Sequence, residues 1–154
     1  MKMSPEFVKA EQNMQPGVIT ADGFLGDDTR PLVDIIDHDE ESMVKLGLEF
    51  ETLVSKMHYL LEEGQKGLGE PVTVDGQWIV RTDEARGHLP SPFEDGIFRK
   101  VNAEVESLEN GKPSGKKLLF TDLSLHLINK YHFFEGKGSA FRVDPAQAKE
   151  VLHL

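Results

Sequence analysis

The sequence predicts an α+β domain: an N-terminal helical pair packed on a four-stranded antiparallel meander, followed by two C-terminal helices. Three observations predict it. Apolar residues recur at three-and-four spacing between residues 32 and 61, alternate as in strands between 72 and 120, and return to helical spacing after 122. Helices grouped before and after a run of strands mark the α+β class, because a parallel sheet needs strands and helices to alternate.

The opening MKMSPEFVKAEQNMQPG is polar and reads as a loosely ordered arm over residues 1–17, with a single domain over 18–154. A chain of 154 residues suits one core, since a domain of about this size buries roughly 70% of the surface its unfolded chain exposes. Val18-Ile19-Thr20 reads as a short edge strand. Asp28 or Thr29 is placed to cap a helix starting near Pro31, whose apolar face is Leu32, Ile35, Ile36, Met43 and Leu46. Asp39-Glu40 interrupts that stripe and predicts a kink or two short helices. From Leu48 onward, Phe50, Leu53, Val54, Met57, Leu60 and Leu61 make one buried stripe that Gly64 ends. Gly47 between the two patterns predicts an αα-hairpin.

Val72-Thr73-Val74 and Trp78-Ile79-Val80 flank Asp75-Gly76, a dipeptide that supplies the positive backbone angles of a tight hairpin. GHLPSPFEDG, residues 87–96, reads as a loop because its prolines and glycines break a strand ladder. Val101, Ala103 and Val105 alternate with polar residues as a half-buried strand, and the ENGKPSG turn leads to a last strand over 117–120. Thr121 or Asp122 then caps a helix holding Leu123, Leu127, Ile128 and Tyr131. Asp144-Pro145-Ala146-Gln147 opens the final helix with an N-cap, a first-turn proline and a glutamine able to complete a capping box.

Composition removes whole classes of chemistry. There is no cysteine, so disulfides, thiolate metal sites and cysteine nucleophiles are excluded. Apolar runs such as Leu118-Leu119-Phe120 are too short for a bilayer span or a signal-peptide core, and the expectation is a soluble, cytoplasmic protein. The net charge is −10, and residues 1–77 hold all of the excess, with 6 Lys and Arg against 16 Asp and Glu. An acidic surface repels phosphate backbones and anionic lipid, so duplex nucleic acid and membranes are not the expected partners. A protein or a small-molecule ligand is, and a homo-oligomer stays open.

The nearest approach to a phosphate motif is GKGS, residues 136–139. A phosphate-cradling loop leads into a helix N-terminus, whose free amides meet the anion. Here the glycines follow a helix, so Gly136 or Gly138 reads as its left-handed cap, with Lys137 near the negative end of the dipole. Lys137 and Arg142 remain anion-binding candidates without any motif. Asp122 and His126, one turn apart, together with His132 and with Glu135 in the loop beyond, form the richest cluster of acid, base and metal-ligand chemistry, and His88 joins it if its loop folds over the helix. A divalent metal is the cofactor such a set would take, at Asp122, His126 and His132. HExxH, GxSxG, EF-hand and GxGxxG patterns are absent.

Two functions follow. The first is a binding or interaction module for a protein or a small anionic ligand. The alternative is a metal- or His/carboxylate-dependent hydrolase acting on a small molecule. Convergence of three of these side chains in one pocket favours the hydrolase, and dispersal favours binding.

Overall fold

Alternation along the strands decides which face of the sheet is covered. Val101, Ala103 and Val105 of one strand and Leu118 and Phe120 of its neighbour are buried, while Glu104 and Lys117 reach solvent. The computed structural model describes residues 3–154. In chain order its elements are α1 (Pro5–Asn13), α2 (Leu32–Leu46), α3 (Phe50–Gln65), β1 (Val72–Val74), β2 (Trp78–Pro90), β3 (Ile97–Glu109), β4 (Lys112–Thr121), α4 (Asp122–Tyr131) and α5 (Pro145–Val151). The strands form an antiparallel sheet in the order β1-β2-β3-β4. Helices precede and follow this meander, which makes the fold α+β.

α3 lies on the covered face through Leu53, Met57, Leu60 and Leu61, all buried, with Phe50 half-buried at its start. Each fully buried side chain of this kind contributes roughly 1.5–3 kcal/mol relative to staying in water. Gly64 does not end the helix. It sits inside α3, where an added Cβ would come within 2.4 Å of Val80 Cγ1, so glycine is what lets the helix rest against β2. α5 closes the same core, and Trp78 Nε1 donates to the Val151 carbonyl at 2.8 Å. That tie holds a helix too short to stand alone.

A second apolar cluster joins α1, the Phe24-Leu25 loop, the first half of α2, Phe93 and Phe133. α4 stands between the two cores, with Leu123 and Leu127 turned to this one and Leu125 and Ile128 to the other. It is therefore held on both sides.

Several elements depart from the sequence-level expectation. Where a loosely ordered arm is expected, Ser4 caps α1, Pro5 opens it, and Phe7 packs edge-on to Phe93 at 5.4 Å. Val18-Ile19-Thr20 forms turns and pairs with no strand. α2 is continuous through Asp39, which is buried and bound by Arg142. Gly47 ends α2 in the left-handed conformation, but α2 then rests on α1 and α5 while α3 rests on the sheet and α4, so the two do not lie along each other as a hairpin.

β2 runs on to Pro90, although residues 87–96 are expected to be loop throughout. A bulge between Ala85 and His88 absorbs Arg86 and Gly87, and the ladder resumes as His88 with Arg99, Leu89 with Phe98 and Pro90 with Ile97. Proline is tolerated because it is the last residue of the strand. The turn into β4 is Asn110-Gly111, both with positive φ, so β4 starts five residues earlier than the apolar pattern suggests. Among the described residues no helix is long and apolar enough to cross a membrane.

Candidate functional site

α4 is fixed at both ends. Thr121 caps it, accepting from the Ser124 amide at 3.0 Å, while Ser124 Oγ accepts from the Thr121 amide at 3.1 Å. Asp122 is thus the first helical residue and not the cap, and its carboxylate has no side-chain hydrogen bond or ion pair among the described residues. The C-terminal cap is His132, with φ 58°, so neither Gly136 nor Gly138 ends the helix. Histidine tolerates the left-handed region better than most residues. Its Nδ1 sits 2.6 Å from Glu40 Oε2 of α2, and its ring stacks on Phe50 at 3.7 Å.

His126 is paired too, with a residue of the loop between β2 and β3. Asp95 Oδ2 accepts from His126 Nε2 at 2.9 Å, from Lys130 Nζ at 2.9 Å and from the Tyr131 hydroxyl at 2.6 Å. Burial pushes the Asp95 carboxyl up, but hydrogen bonds from these groups and the nearby Ser91 hydroxyl outweigh it and hold the pKa well below the usual carboxylate range. Asp95 Oδ1 has no partner of good hydrogen-bond geometry even so. Since an ionised carboxylate only accepts, His126 carries its proton on Nε2. Phe93 stacks on Tyr131 at 3.6 Å and completes the attachment. This cluster pins a loop to a helix.

His88 is exposed on β2, opposite Arg99. Asp122, His126, His132, His88 and Glu135 therefore have separate surroundings, and no group of three His, Cys, Asp or Glu residues among those described is disposed to hold a metal ion. Arg142 is engaged as well. Its guanidinium makes a two-pronged bond to Asp39 at 2.8 and 2.9 Å and donates to the Glu135 carbonyl at 2.6 Å. Lys137 is exposed at the tip of the loop, and its backbone amide donates to Asp28.

What the loop after α4 builds is a junction. Residues 136–139 dock on the loop that enters α2, with the Gly136 amide donating to the Phe24 carbonyl at 3.0 Å and the Asp27 amide donating to the Lys137 carbonyl at 2.8 Å. The approach is close enough to require glycine on both sides: a Cβ on Gly136 would lie 2.2 Å from the Leu25 carbonyl oxygen, and one on Gly26 2.3 Å from the Ser139 nitrogen. Arg30 binds Asp28 at 2.6 Å and, with the Lys137 amide, holds that carboxyl well below its ordinary range.

Beside this junction lies a pocket of about 470 Å³, within the usual range for small-molecule sites. Phe24, Leu89, Leu123 and Phe141 supply its apolar wall; Asp22, Asp27, Glu135 and Ser139 supply polar groups, and among the described residues no Lys, Arg or His lines it. Glu135 is 6% exposed. One of its oxygens accepts from Ser139 Oγ at 2.6 Å, and the other receives no hydrogen bond from any described residue. Burial raises its pKa to about 7, the Ser139 hydrogen bond and the Arg142 charge opposing the shift. Its backbone is strained as well, with φ 73°, a conformation that costs a non-glycine residue on the order of 1–3 kcal/mol. Arg142 holds the Glu135 carbonyl and so maintains it. A hollow of about 500 Å³ beside Glu49, Thr52 and Tyr59 lies along the surface of α3 alone and encloses no buried polar group.

Of the residues expected to carry chemistry, Glu135 lies in this pocket, and the others point elsewhere. Asp95, Asp22, Asp27 and Ser139 are missed by sequence reasoning. Asp95 and Asp22 stand beside glycine in turn-rich stretches, where a carboxylate is ordinary; Ser139 is visible only as part of GKGS. Compared with protein-family models, curated proteins and solved structures, the chain matches none. Its function therefore has to be read from the site's own chemistry.

Proposed function

We propose that this protein is a binding domain for a small organic cation, and that its site is the pocket beside the glycine junction. The observation that carries this is Glu135: a largely buried carboxyl, one oxygen of which receives no donor from the described residues, in a pocket that no described cationic side chain lines. An unpaired buried carboxylate is unfavourable, and the charged form is suppressed until a counter-charge arrives. A ligand ammonium supplies that charge and a strong, charge-assisted hydrogen bond. Asp22 and Asp27 add negative potential at the rim, and the four apolar residues take the ligand's hydrocarbon part.

This ligand has the opposite charge to the anion that Lys137 and Arg142 suggest, because Arg142 is engaged by Asp39 and neither residue lines the pocket. The dispersal of Asp122, His126 and His132 supports binding over hydrolysis. The experiment is titration with hexylamine and hexanoate, followed by amide chemical shifts. Hexylamine is expected to perturb Phe24 and residues 135–141 and to bind more tightly as pH rises through about 7, where Glu135 ionises. Hexanoate is expected to leave them unmoved. Equal binding of the two, or hexylamine binding undiminished by Glu135→Gln, would refute the proposal.

A further inference from the structure

A second cavity, of about 180 Å³, adjoins the pocket: Leu89, Thr121, Leu123 and Phe141 line both, and Arg99 and Lys100 line the second. Residues 99–102 all line this cavity, and the bulge between Ala85 and His88 lies opposite Arg99 and Lys100 in β2.

The two cations are poorly matched by the protein. Lys100 has no ion pair among the described residues, and Arg99 has only a long contact of 3.8 Å to Glu84. Asp83 is the one carboxylate lining the cavity. The two adjoining cavities are thus negative where Glu135 lies, apolar at the Leu89, Leu123 and Phe141 they share, and positive at Arg99 and Lys100.

Resting on the proposed function, which places an amine at Glu135, we infer that the ligand is an amino acid with its two charges separated by a hydrocarbon chain. Its ammonium meets Glu135, its methylenes cross the shared apolar wall, and its carboxylate reaches Lys100 and Arg99. A short α-amino acid does not serve, because its charges sit on one carbon while Glu135 lines one cavity and Arg99 and Lys100 line the other.

The test is calorimetric titration of the full chain with 4-aminobutanoate, 6-aminohexanoate and 8-aminooctanoate, each against the alkylamine of equal carbon number. At least one amino acid is expected to bind about fivefold more tightly than its amine, the gain an exposed ion pair can supply. In the Arg99→Ala/Lys100→Ala variant, whose folding is checked by thermal melt, that ratio should fall to about one. Amines that bind while every amino acid binds no better would overturn this inference and leave the cation site standing. A ratio that survives the double substitution would also overturn it. If neither amines nor amino acids bind, the cation site itself is wrong and this inference falls with it.

Discussion

Asp95 and Glu135 are both carboxyls drawn from water beside α4, and the protein treats them in opposite ways. Asp95 receives His126, Lys130 and Tyr131, and its pKa is driven down. Among the described residues Glu135 receives Ser139 alone, and its pKa rises to about 7. Burial raises both; the number of donors decides which way the sum falls. A carboxylate with three donors on one oxygen is a fastener, even though its other oxygen stays unpaired. One left short of them, in a pocket, is a group waiting for a partner.

The largest expected effect sharpens this contrast by removing what holds Glu135 in place. Arg142→Ala leaves Asp39, 1% exposed, as an uncompensated buried charge, and breaking a buried pair from one side costs about 3–5 kcal/mol. Urea denaturation should show that loss. Replacing both partners, as Asp39→Leu/Arg142→Met, should recover much of it, because no charge is then buried alone.

Next in size is the pH response, where the two carboxyls should separate cleanly. Glu135 has a folded pKa of about 7 against an ordinary value of 4.5. The folded state therefore binds more protons than the unfolded state between these values, so this group makes stability fall as pH rises through the window, by about 3 kcal/mol. Glu135→Gln should abolish that slope and make the protein more stable than the original at pH 8 while losing hexylamine binding. Asp95 acts with the other sign. Its pKa is depressed, so its contribution is present above the ordinary carboxylate range and lost as pH falls below it. Asp95→Asn should remove that acid limb and cost about 1.5–3 kcal/mol at neutral pH, the scale of hydrogen bonds to a charged group. If Glu135→Gln lowers stability at pH 8 instead, the two carboxyls do the same work and the comparison fails.

What could be read from the sequence follows the range of the interactions. The α3 stripe, the Asp75-Gly76 turn and the Asp144-Pro145 helix start are local patterns, and the structure has them. Phe7, Ala10 and Met14 also fall at helical spacing in α1, but amid polar residues the stripe is too thin to outweigh composition. Asp39 reads as an interruption of α2 because its partner lies 103 residues further on. Glu135 is visible as a candidate, yet in the wrong company. Nearness in sequence groups it with His126 and His132, whereas the fold sets it beside residues 20–24 and 138–141. No local pattern announces that two glycine loops will interlock.

The smallest effect distinguishes a glycine that only turns the chain from one that also shapes the pocket. Gly47 and Gly138 both have positive φ, 65° and 86°, so alanine at either should cost about 1 kcal/mol from the backbone alone. Their surroundings differ. A Cβ on Gly47 would meet nothing within 4 Å, whereas one on Gly138 would lie 2.7 Å from Asp27 Oδ2. That carboxylate is the end of an exposed side chain and can swing aside, and the Asp27 nitrogen, 3.3 Å away, has to give by only a few tenths of an ångström, so the added cost in stability is small. It also lines the pocket, so moving it displaces a negative charge from the rim. Thermal melts of Gly47→Ala and Gly138→Ala should therefore be nearly alike, while hexylamine affinity falls in the second and is unchanged in the first. Equal affinity in both would mean that Asp27 lends no potential to the site, and that Glu135 alone holds the cation.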